Sequence, residues 1–130
     1  MRTINKIIIH CSDTPSSMDI GTKEIRKWHV EENNWSDIGY HYVVGRDGEV
    51  GVGRGESTKG AHCYGQNSSS IGICLVGRED FNDEQFSSLR KLINDLVERY
   101  NIIAVEGHYK YSDKTCPNFD VHEWYNGIQS

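Results

Sequence analysis

Short apolar runs, each bounded by polar or turn-forming residues, recur along the chain and predict the strands of a sheet. The runs are rich in isoleucine and valine and have the usual length of a strand. They cover residues 4–10, 38–44, 70–76 and 102–107. Asp47-Gly48 is a typical hairpin turn, which predicts a returning strand over residues 49–52.

Apolar positions three and four residues apart predict helices elsewhere in the chain. The predicted helices span residues 22–33, 83–100 and 120–125. In the first helix Thr22 is the expected N-cap, and Ile25 and Trp28 share one face. The glycine-rich, polar stretch over 53–69 fits neither pattern and predicts a long surface loop with functional content.

The helix over 83–100 has the clearest pattern. Asn82 is its expected N-cap, and Gln85 completes a capping box. Phe81 and Phe86 stand where a hydrophobic staple requires them. An apolar stripe at helical spacing consists of Phe86, Leu89, Leu92, Ile93, Leu96, Val97 and Tyr100. We interpret this stripe as a face packed against the core, without a functional role.

The order of the elements predicts one α/β or α+β domain around a central sheet, because there is no internal repeat and no linker. A length of 130 residues suits a single core, so the predicted domain is the whole of 1–130. The net charge of −5 offers nucleic acid no general electrostatic attraction. We expect no membrane insertion and synthesis in the cytoplasm, because no apolar run approaches roughly 18 residues and no signal peptide is evident.

The chain has cysteines at positions 11, 63, 74 and 116. None forms a Cys-x-x-Cys pair, which argues against a zinc finger or a thioredoxin-type site. Disulfides are not expected in a reducing compartment. We therefore interpret Cys11, Cys63 and Cys74 as small buried apolar residues.

Candidate metal chemistry lies at the ends of two predicted strands. His10 closes the first strand and His108 follows the last, and open sheets place ligands at the carboxyl ends of their strands. Cys116 comes eight positions after His108. Two imidazoles and one thiolate make three zinc ligands, and a fourth position left to water is typical of a catalytic site. These residues suggest a zinc hydrolase.

Spacing alone does not decide between this trio and plainer roles, since strand-end histidines are often surface residues and lone cysteines often pack. Other histidines are alternative ligands by composition: His29, His41, His62 and His122. His29, on an amphipathic helix, and His122, near the terminus, are interpreted as structural. Side chains alternate along a strand, so Cys11 points away from His10 and is a poor ligand.

Lys114 stands two residues before Cys116, and Pro117 favours an extended conformation at Cys116. In an extended segment Lys114 and Cys116 project to the same side. The ammonium group would stabilise an oxyanion formed at the metal and would favour the cysteine thiolate.

Six segments, in order along nearly the whole chain, form one pattern. They are Ile9-His10-Cys11-Ser12, Glu24-Ile25-Arg26-Lys27-Trp28-His29, Ile38-Gly39-Tyr40-His41-Tyr42, Arg46-Asp47-Gly48, Ser70-Ile71-Gly72-Ile73-Cys74-Leu75-Val76-Gly77 and Lys114-Thr115-Cys116-Pro117-Asn118-Phe119-Asp120. Together they resemble the type 2 N-acetylmuramoyl-L-alanine amidases, which are the zinc amidases of phage endolysins and are related to peptidoglycan recognition proteins.

The resemblance implies that zinc is bound by His10, His108 and Cys116. The implied catalytic side chains are Tyr40 and Lys114. The implied substrate is the amide bond between N-acetylmuramic acid and L-alanine in peptidoglycan. The implied fold is a central mixed sheet flanked by helices, with the zinc in a groove on one face. Non-catalytic relatives lose the cysteine ligand, and its presence here favours an enzyme.

Strand alternation places Tyr40 and His41 on opposite faces, and the resemblance favours Tyr40 as the groove residue. In the polar loop, His62 and Asn67 are candidate substrate-binding residues through hydrogen bonds to peptide or sugar amides; an ordinary polar loop is the alternative. Asp120 either orients a ligand histidine or caps the last helix.

The predicted protein is a monomeric phage or prophage endolysin without a separate wall-binding domain, and it acts on the bacterial cell wall after release. One alternative is a non-catalytic module that binds muropeptides. A second is an amidase that also binds phage RNA polymerase, as some phage members of this family do. A zinc deaminase is disfavoured, because its His-x-Glu and Pro-Cys-x-x-Cys pair is missing.

Overall fold

The computed structural model describes residues 2–129, and the side chains of residues 2–126. Its centre is a five-stranded mixed sheet, as the resemblance implied. The strands are β1 (Lys6–Cys11), β2 (Tyr42–Val44), β3 (Val50–Val52), β4 (Ser70–Leu75) and β5 (Ala104–Gly107). They lie in the order β3-β2-β4-β1-β5, with β3 antiparallel to β2 and all other neighbours parallel.

The two strands β1 and β4 form the buried centre of the sheet. Three consecutive isoleucines of β1 are fully buried, and every residue of β4 is buried. Parallel strands covered on both faces have continuous apolar runs, which explains why the sequence does not alternate here. Ile9 of β1 pairs with Gly107, the last residue of β5. His10 and His108, each one residue further along, therefore emerge at the same edge of the sheet.

Helices cover both faces of the sheet. They are α1 (Thr22–Lys27), which continues into a π-helical turn (Trp28–Glu32), α2 (Asp83–Arg99) and α3 (Val121–Gln129); single 3-10 turns occupy Asn67–Ser69 and His108–Lys110. One face packs α2 and α3 into the larger core, to which α2 contributes Leu89, Ile93 and Leu96. The opposite face packs α1 into a smaller core formed by Ile25, Ile38, Val43, Cys74 and Val76. The predicted fold class is confirmed.

The N-terminus of α2 docks against the ends of two strands. Asn82 caps the helix and forms the predicted capping box with Gln85. The buried Gln85 amide also donates to two main-chain carbonyls at the ends of β2 and β4, at 3.3 and 2.8 Å. Phe81 and Phe86 pack edge to face at 6.2 Å, which confirms the staple. Val97 is 38% exposed, so the predicted stripe is wrong at that position.

Several predicted boundaries shift. Thr22 begins α1 instead of capping it; the N-cap is Gly21, whose N–H donates to Glu24 Oε2 at 3.2 Å. The strand predicted over 38–44 is regular only in β2, because the preceding residues divide their backbone hydrogen bonds between β4 and the following loop. The neighbouring strands β1 and β5 both begin two residues later than predicted.

A partly buried carboxylate anchors the predicted loop over 53–69 to α2 and the sheet. Glu56 accepts hydrogen bonds from the hydroxyl groups of Tyr42 and Tyr100. Arg99 donates two more to the same carboxylate, at 2.6 and 2.7 Å. The far part of the loop turns inward, where His62 is buried. Among the residues that the structure describes, no helix is long and apolar enough to cross a bilayer.

Candidate metal centre and active site

Three side chains from distant parts of the chain converge at the carboxyl edge of the sheet. His10 lies near the end of β1, His108 directly follows β5, and Cys116 lies in the loop that leads to α3. Their candidate ligand atoms all lie within 4.8 Å of one another. His10 is buried, whereas His108 and Cys116 are partly exposed in a groove that all three line.

The backbone of β1 fixes the position of the cysteine. The N–H of Cys11 donates to Cys116 Sγ at 2.9 Å. The N–H of Tyr109 donates to the carbonyl oxygen of Cys116 at 3.0 Å. The loop is thus attached to both strands that supply the histidines, which explains how a residue far from His10 in sequence reaches it in space.

The donor set fits zinc. Imidazole nitrogen and thiolate sulfur are common zinc ligands, and tetrahedral bonds of about 2.0–2.3 Å place the donors about 3.3–3.6 Å apart. The observed spread is slightly wider than this, so small side-chain adjustments are enough to bring the three atoms onto one ion. The open groove gives solvent access to the same three atoms.

Burial sets the protonation of the candidate ligands. It lowers the pKa of His10 well below 6.5, with smaller contributions from the neighbouring histidines and Lys114. Burial and the charge of Lys114 also lower the pKa of His108. Both imidazoles are therefore neutral at neutral pH, which is the state that binds metal. The hydrogen bond with Cys11 and burial raise the pKa of Cys116, so a metal must displace its proton.

Tyr40 lines the groove beside these residues. The centroid of its ring lies 5.1 Å from that of His10. Burial raises the pKa of the Tyr40 hydroxyl well above its usual value, and nearby cysteine thiols add to the shift. The hydroxyl group is therefore protonated at neutral pH and acts as a hydrogen-bond donor.

His41 points to the opposite side, as strand alternation predicted. Its side chain is completely buried, and its Nδ1 accepts a hydrogen bond from the N–H of Gly72 at 3.1 Å. Its Nε2 lies 2.7 Å from the carbonyl oxygen of Thr58. Burial lowers the pKa of His41 to about 4. We conclude that His41 supports the loop behind the groove.

Lys114 lies on the exposed rim of the groove. Its positive charge contributes to the lowered pKa of both His10 and His108. Cys116 lines the same groove, but so does Thr115 between them, and Cys116 begins a turn, so the lining does not establish the predicted extended segment. The Lys114 ammonium group is thus close to the candidate ligands without being buried among them.

The groove has a volume of about 790 Å³ and contains residues to which the sequence analysis assigned no place in it. His29 and Trp35 line it together, with ring centroids 4.6 Å apart. The Nδ1 of His29 accepts a hydrogen bond from the N–H of Gly39 at 2.9 Å, so His29 has a structural contact and also lines the groove. Arg78 and Asp13 form an ion pair of 2.9 Å in the same lining.

Comparison with protein families identifies the relationship of the chain. Residues 1–119 match the family described as N-acetylmuramoyl-L-alanine amidase. The chain belongs to this family. It is 41% identical over 127 residues to the endolysin of Escherichia phage T7, which covers 92% of this chain and 83% of that protein.

Solved structures of this amidase family and its relatives have the same fold. The N-acetylmuramoyl-L-alanine amidase LysC from Clostridium intestinale URNW gives a TM-score of 0.89 at 28% identity, covering 98% of this chain and 87% of that one. A complex of tracheal cytotoxin with the ectodomains of peptidoglycan recognition proteins LCa and LCx gives a TM-score of 0.76 at 27% identity, covering 89% and 76%.

The two loop residues predicted to bind substrate have different surroundings in this amidase. His62 lines the groove but is only 8% exposed, and its Nδ1 lies 2.8 Å from His10 Nε2. Burial lowers the pKa of His62 to about 3, so its ring is neutral. Asn67 Oδ1 accepts hydrogen bonds from the N–H groups of His62 and Cys63, both at 2.9 Å. The Asn67 side chain is therefore used within the loop, and we assign it no substrate contact.

Asp120 caps the last helix. Its Oδ1 accepts a hydrogen bond from the N–H of Glu123 at 3.0 Å, which favours the capping role over the orientation of a ligand histidine. The three cysteines interpreted as packing residues are buried, with free thiols. The thiol of Cys11 also contacts Cys116, a contact that strand alternation did not predict because the cysteine loop folds over the end of β1.

Proposed function

We propose that this chain is a zinc-dependent amidase that hydrolyses the bond between N-acetylmuramic acid and L-alanine in peptidoglycan. The phage endolysin among its relatives supports the further proposal that it is a phage or prophage endolysin. The observation that carries the function is the convergence of three side chains able to bind a metal, a tyrosine and a lysine in one groove.

His10, His108 and Cys116 would hold the zinc ion. Zinc bound there supplies Lewis-acid chemistry, because it makes a water molecule more acidic and polarises a carbonyl group. The neutral state of both imidazoles at neutral pH favours this role. The N–H group that Cys11 directs at Cys116 Sγ favours it as well, because it stabilises the thiolate.

Lys114 and Tyr40 would act on the charge that develops during hydrolysis. Attack on an amide carbonyl places negative charge on its oxygen, and donors already aimed at that position lower the barrier. Lys114 offers an ammonium group from the rim of the groove. Tyr40 offers a hydroxyl group whose raised pKa keeps it protonated and able to donate a hydrogen bond. We assign both residues to oxyanion stabilisation.

The rest of the groove suits a ligand with both sugar and peptide parts. Trp35 offers an aromatic surface for a sugar ring or a methyl group, and Arg78 and Asp13 offer charged groups for a peptide. The structures of related peptidoglycan recognition proteins support a substrate of this class. The mixture of aromatic and charged lining is consistent with recognition of the stem peptide where it meets the glycan.

The test is a metal-dependent digestion of purified peptidoglycan. Protein stripped with a chelator is incubated with the wall alone, with zinc, and with magnesium as the control ion. We expect stem peptides with a free L-alanine amino terminus, detected by mass spectrometry, only after zinc addition. Zinc-loaded protein that binds the wall without releasing these peptides would support a binding module instead.

A further inference from the structure

We propose that His62 is a positioning residue that fixes the tautomer of the metal ligand His10. It does so through a hydrogen-bond chain that runs from His10 through His62 and Ser70 to the main-chain carbonyl of Gln66. This role presupposes the zinc site of the proposed function and concerns how that site is prepared before the metal arrives.

The chain is continuous and buried. His10 Nε2 lies 2.8 Å from His62 Nδ1, and His62 Nε2 lies 3.2 Å from Ser70 Oγ. Ser70 Oγ lies 2.7 Å from the carbonyl oxygen of Gln66. The side chains of His10, His62 and Ser70 are all buried. Leaving a buried polar group without a hydrogen-bond partner is costly, so each member is strongly held to its partner.

The carbonyl group at the end of the chain sets the direction of every hydrogen bond. A carbonyl oxygen only accepts, so the Ser70 hydroxyl donates its single hydrogen to Gln66. Ser70 Oγ then accepts from His62, which therefore carries its hydrogen on Nε2. A neutral imidazole has one N–H, so His62 Nδ1 accepts and His10 donates from Nε2. The lone pair of His10 Nδ1 is left free for a metal.

The distances argue against the reversed chain. Reversal would make Ser70 donate to His62 across 3.2 Å and would leave two oxygen atoms 2.7 Å apart with no hydrogen between them. It would also place the His10 hydrogen on Nδ1. The only lone pair of His10 would then lie on Nε2, the nitrogen that faces His62. The reversed chain therefore disables the ligand.

Two glycines fix the place of the His62 ring. A Cβ atom at Gly72 would lie 2.6 Å from ring atoms Cδ2 and Cγ, and one at Gly60 would lie 2.7 Å from Cδ2. The His62 ring thus fills a slot between β4 and the loop. Any side chain at position 60 or 72 would occupy the same space. This packing opposes the ring rotation that would exchange Nδ1 with a carbon atom. Asn67 holds the backbone of His62 in place.

An uncharged partner has a chemical consequence. Metal-binding histidines usually donate to a carboxylate, a main-chain carbonyl or water. Here the partner is an imidazole, which unlike a carboxylate carries no negative charge, so His10 is oriented without added negative charge. Two imidazoles and one thiolate would leave a bound divalent zinc ion with a net positive charge, which would favour Lewis-acid chemistry.

The first test reads the tautomers in the wild-type protein without metal. Two-bond ¹H–¹⁵N correlation spectra of ¹⁵N-histidine-labelled protein distinguish the two neutral tautomers. We expect both His10 and His62 to be protonated at Nε2. Protonation of His62 at Nδ1, or exchange between the two tautomers, would overturn the proposal.

The second test compares zinc affinities by competition with a chromophoric chelator. His62→Leu removes the acceptor and should weaken binding about 10- to 100-fold, as expected for loss of such a partner. His62→Asn should stay within about threefold, because Asn Oδ1 stands where His Nδ1 stood. Ser70→Ala should give a smaller loss, while the exposed control Ser68→Ala should give none. Equal losses in His62→Asn and His62→Leu, with equal melting temperatures, would reduce His62 to a space-filling residue.

Both tests omit substrate, so they separate this role from the proposed activity. Wild-type protein that binds zinc with the expected tautomers but leaves peptidoglycan intact would overturn only the amidase proposal. Wild-type protein with the expected fold that binds no zinc would overturn both.

Discussion

The two halves of the candidate metal centre are held in different ways. His10 lies inside the sheet, and its ring contacts His62, which two glycines enclose. Cys116 and Lys114 belong to the loop between β5 and α3, where most residues are partly or fully exposed. That loop is attached to the sheet through backbone hydrogen bonds. The sheet supplies fixed geometry, and the loop supplies the Cys116 thiol and the positive charge of Lys114.

This difference separates two ways of losing function. Substitutions in the exposed loop remove chemistry while the core remains packed. Substitutions behind His10 or in the core change geometry or stability before they change chemistry. Measuring zinc affinity, turnover and stability on the same variants therefore shows which half each residue serves.

Cys116→Ser should have the largest effect, because a hydroxyl group is a far weaker zinc ligand than a thiolate. We expect no measurable release of L-alanine amino termini and a strong loss of zinc affinity by chelator competition. The melting temperature of the metal-free protein should change little, since the side chain is only partly buried. Full activity in this variant would refute the assignment of Cys116 as a ligand.

Lys114→Ala should have the second-largest effect on activity. It should bind zinc as the wild type does but lose about 100-fold or more in kcat, the scale seen when one oxyanion donor is removed. Lys114→Arg is the matched control, because it keeps the charge and should recover part of the rate. Unchanged turnover in the alanine variant would show that the positive charge of Lys114 plays no part in catalysis.

Tyr40→Phe should reduce kcat by about 10- to 100-fold, because it removes one donor and keeps the ring. Zinc affinity and melting temperature should stay near those of the wild type. A variant with wild-type kcat would leave Tyr40 as a packing residue of the groove wall.

The anchor of the loop predicts a pH dependence of stability. Hydrogen bonds from Arg99 in the first place, and from the two tyrosines, lower the pKa of Glu56 from 4.5 to about 2. A lowered pKa in the folded state stabilises the fold above the unfolded value, and this stabilisation is lost as the pH falls from about 5 towards 2. Urea unfolding should show the wild type losing on the order of 2 kcal/mol more than Glu56→Gln between pH 6 and pH 3.

The exposed residue Glu98, on the same helix, provides the control for this experiment. Glu98→Gln should lose stability with falling pH as the wild type does. If Glu56→Gln and the wild type follow one curve, the carboxylate does not anchor the loop.

The smallest effect is expected at Val97, where the prediction of a buried apolar stripe is wrong. Val97→Ser should change the free energy of unfolding by less than about 0.5 kcal/mol, because the side chain is largely exposed. Leu96→Ala, at the neighbouring buried position, should cost about 2–5 kcal/mol. Similar losses in the free energy of unfolding at both positions would show that the Val97 side chain is packed in the core.

Local patterns predicted the parts of the fold that depend on local physics. Buried isoleucine runs gave the central strands, and the Asn82–Gln85 capping box gave the start of α2. Strand alternation placed Tyr40 and His41 on opposite sides. Periodicity could not show that Val97, at the margin of the apolar stripe of α2, is exposed to solvent. Packing of the helix against the sheet decides that exposure.

Only part of the candidate site could be predicted from the sequence. Motif resemblance brought His10, His108 and Cys116 together, whereas the partnership of His62 with His10 depends on the path of an irregular loop. The signal available for it was the pair of glycines, Gly60 and Gly72, which leave room for a ring. Binding of phage RNA polymerase and the monomeric state stay predictions.

Zinc K-edge X-ray absorption on protein loaded with one equivalent of zinc tests the central claim most directly. We predict one sulfur ligand at about 2.3 Å and two imidazole nitrogens at about 2.0–2.1 Å. Cys116→Ser should lack the sulfur shell. A wild-type spectrum with no sulfur around the zinc would contradict a site built from His10, His108 and Cys116.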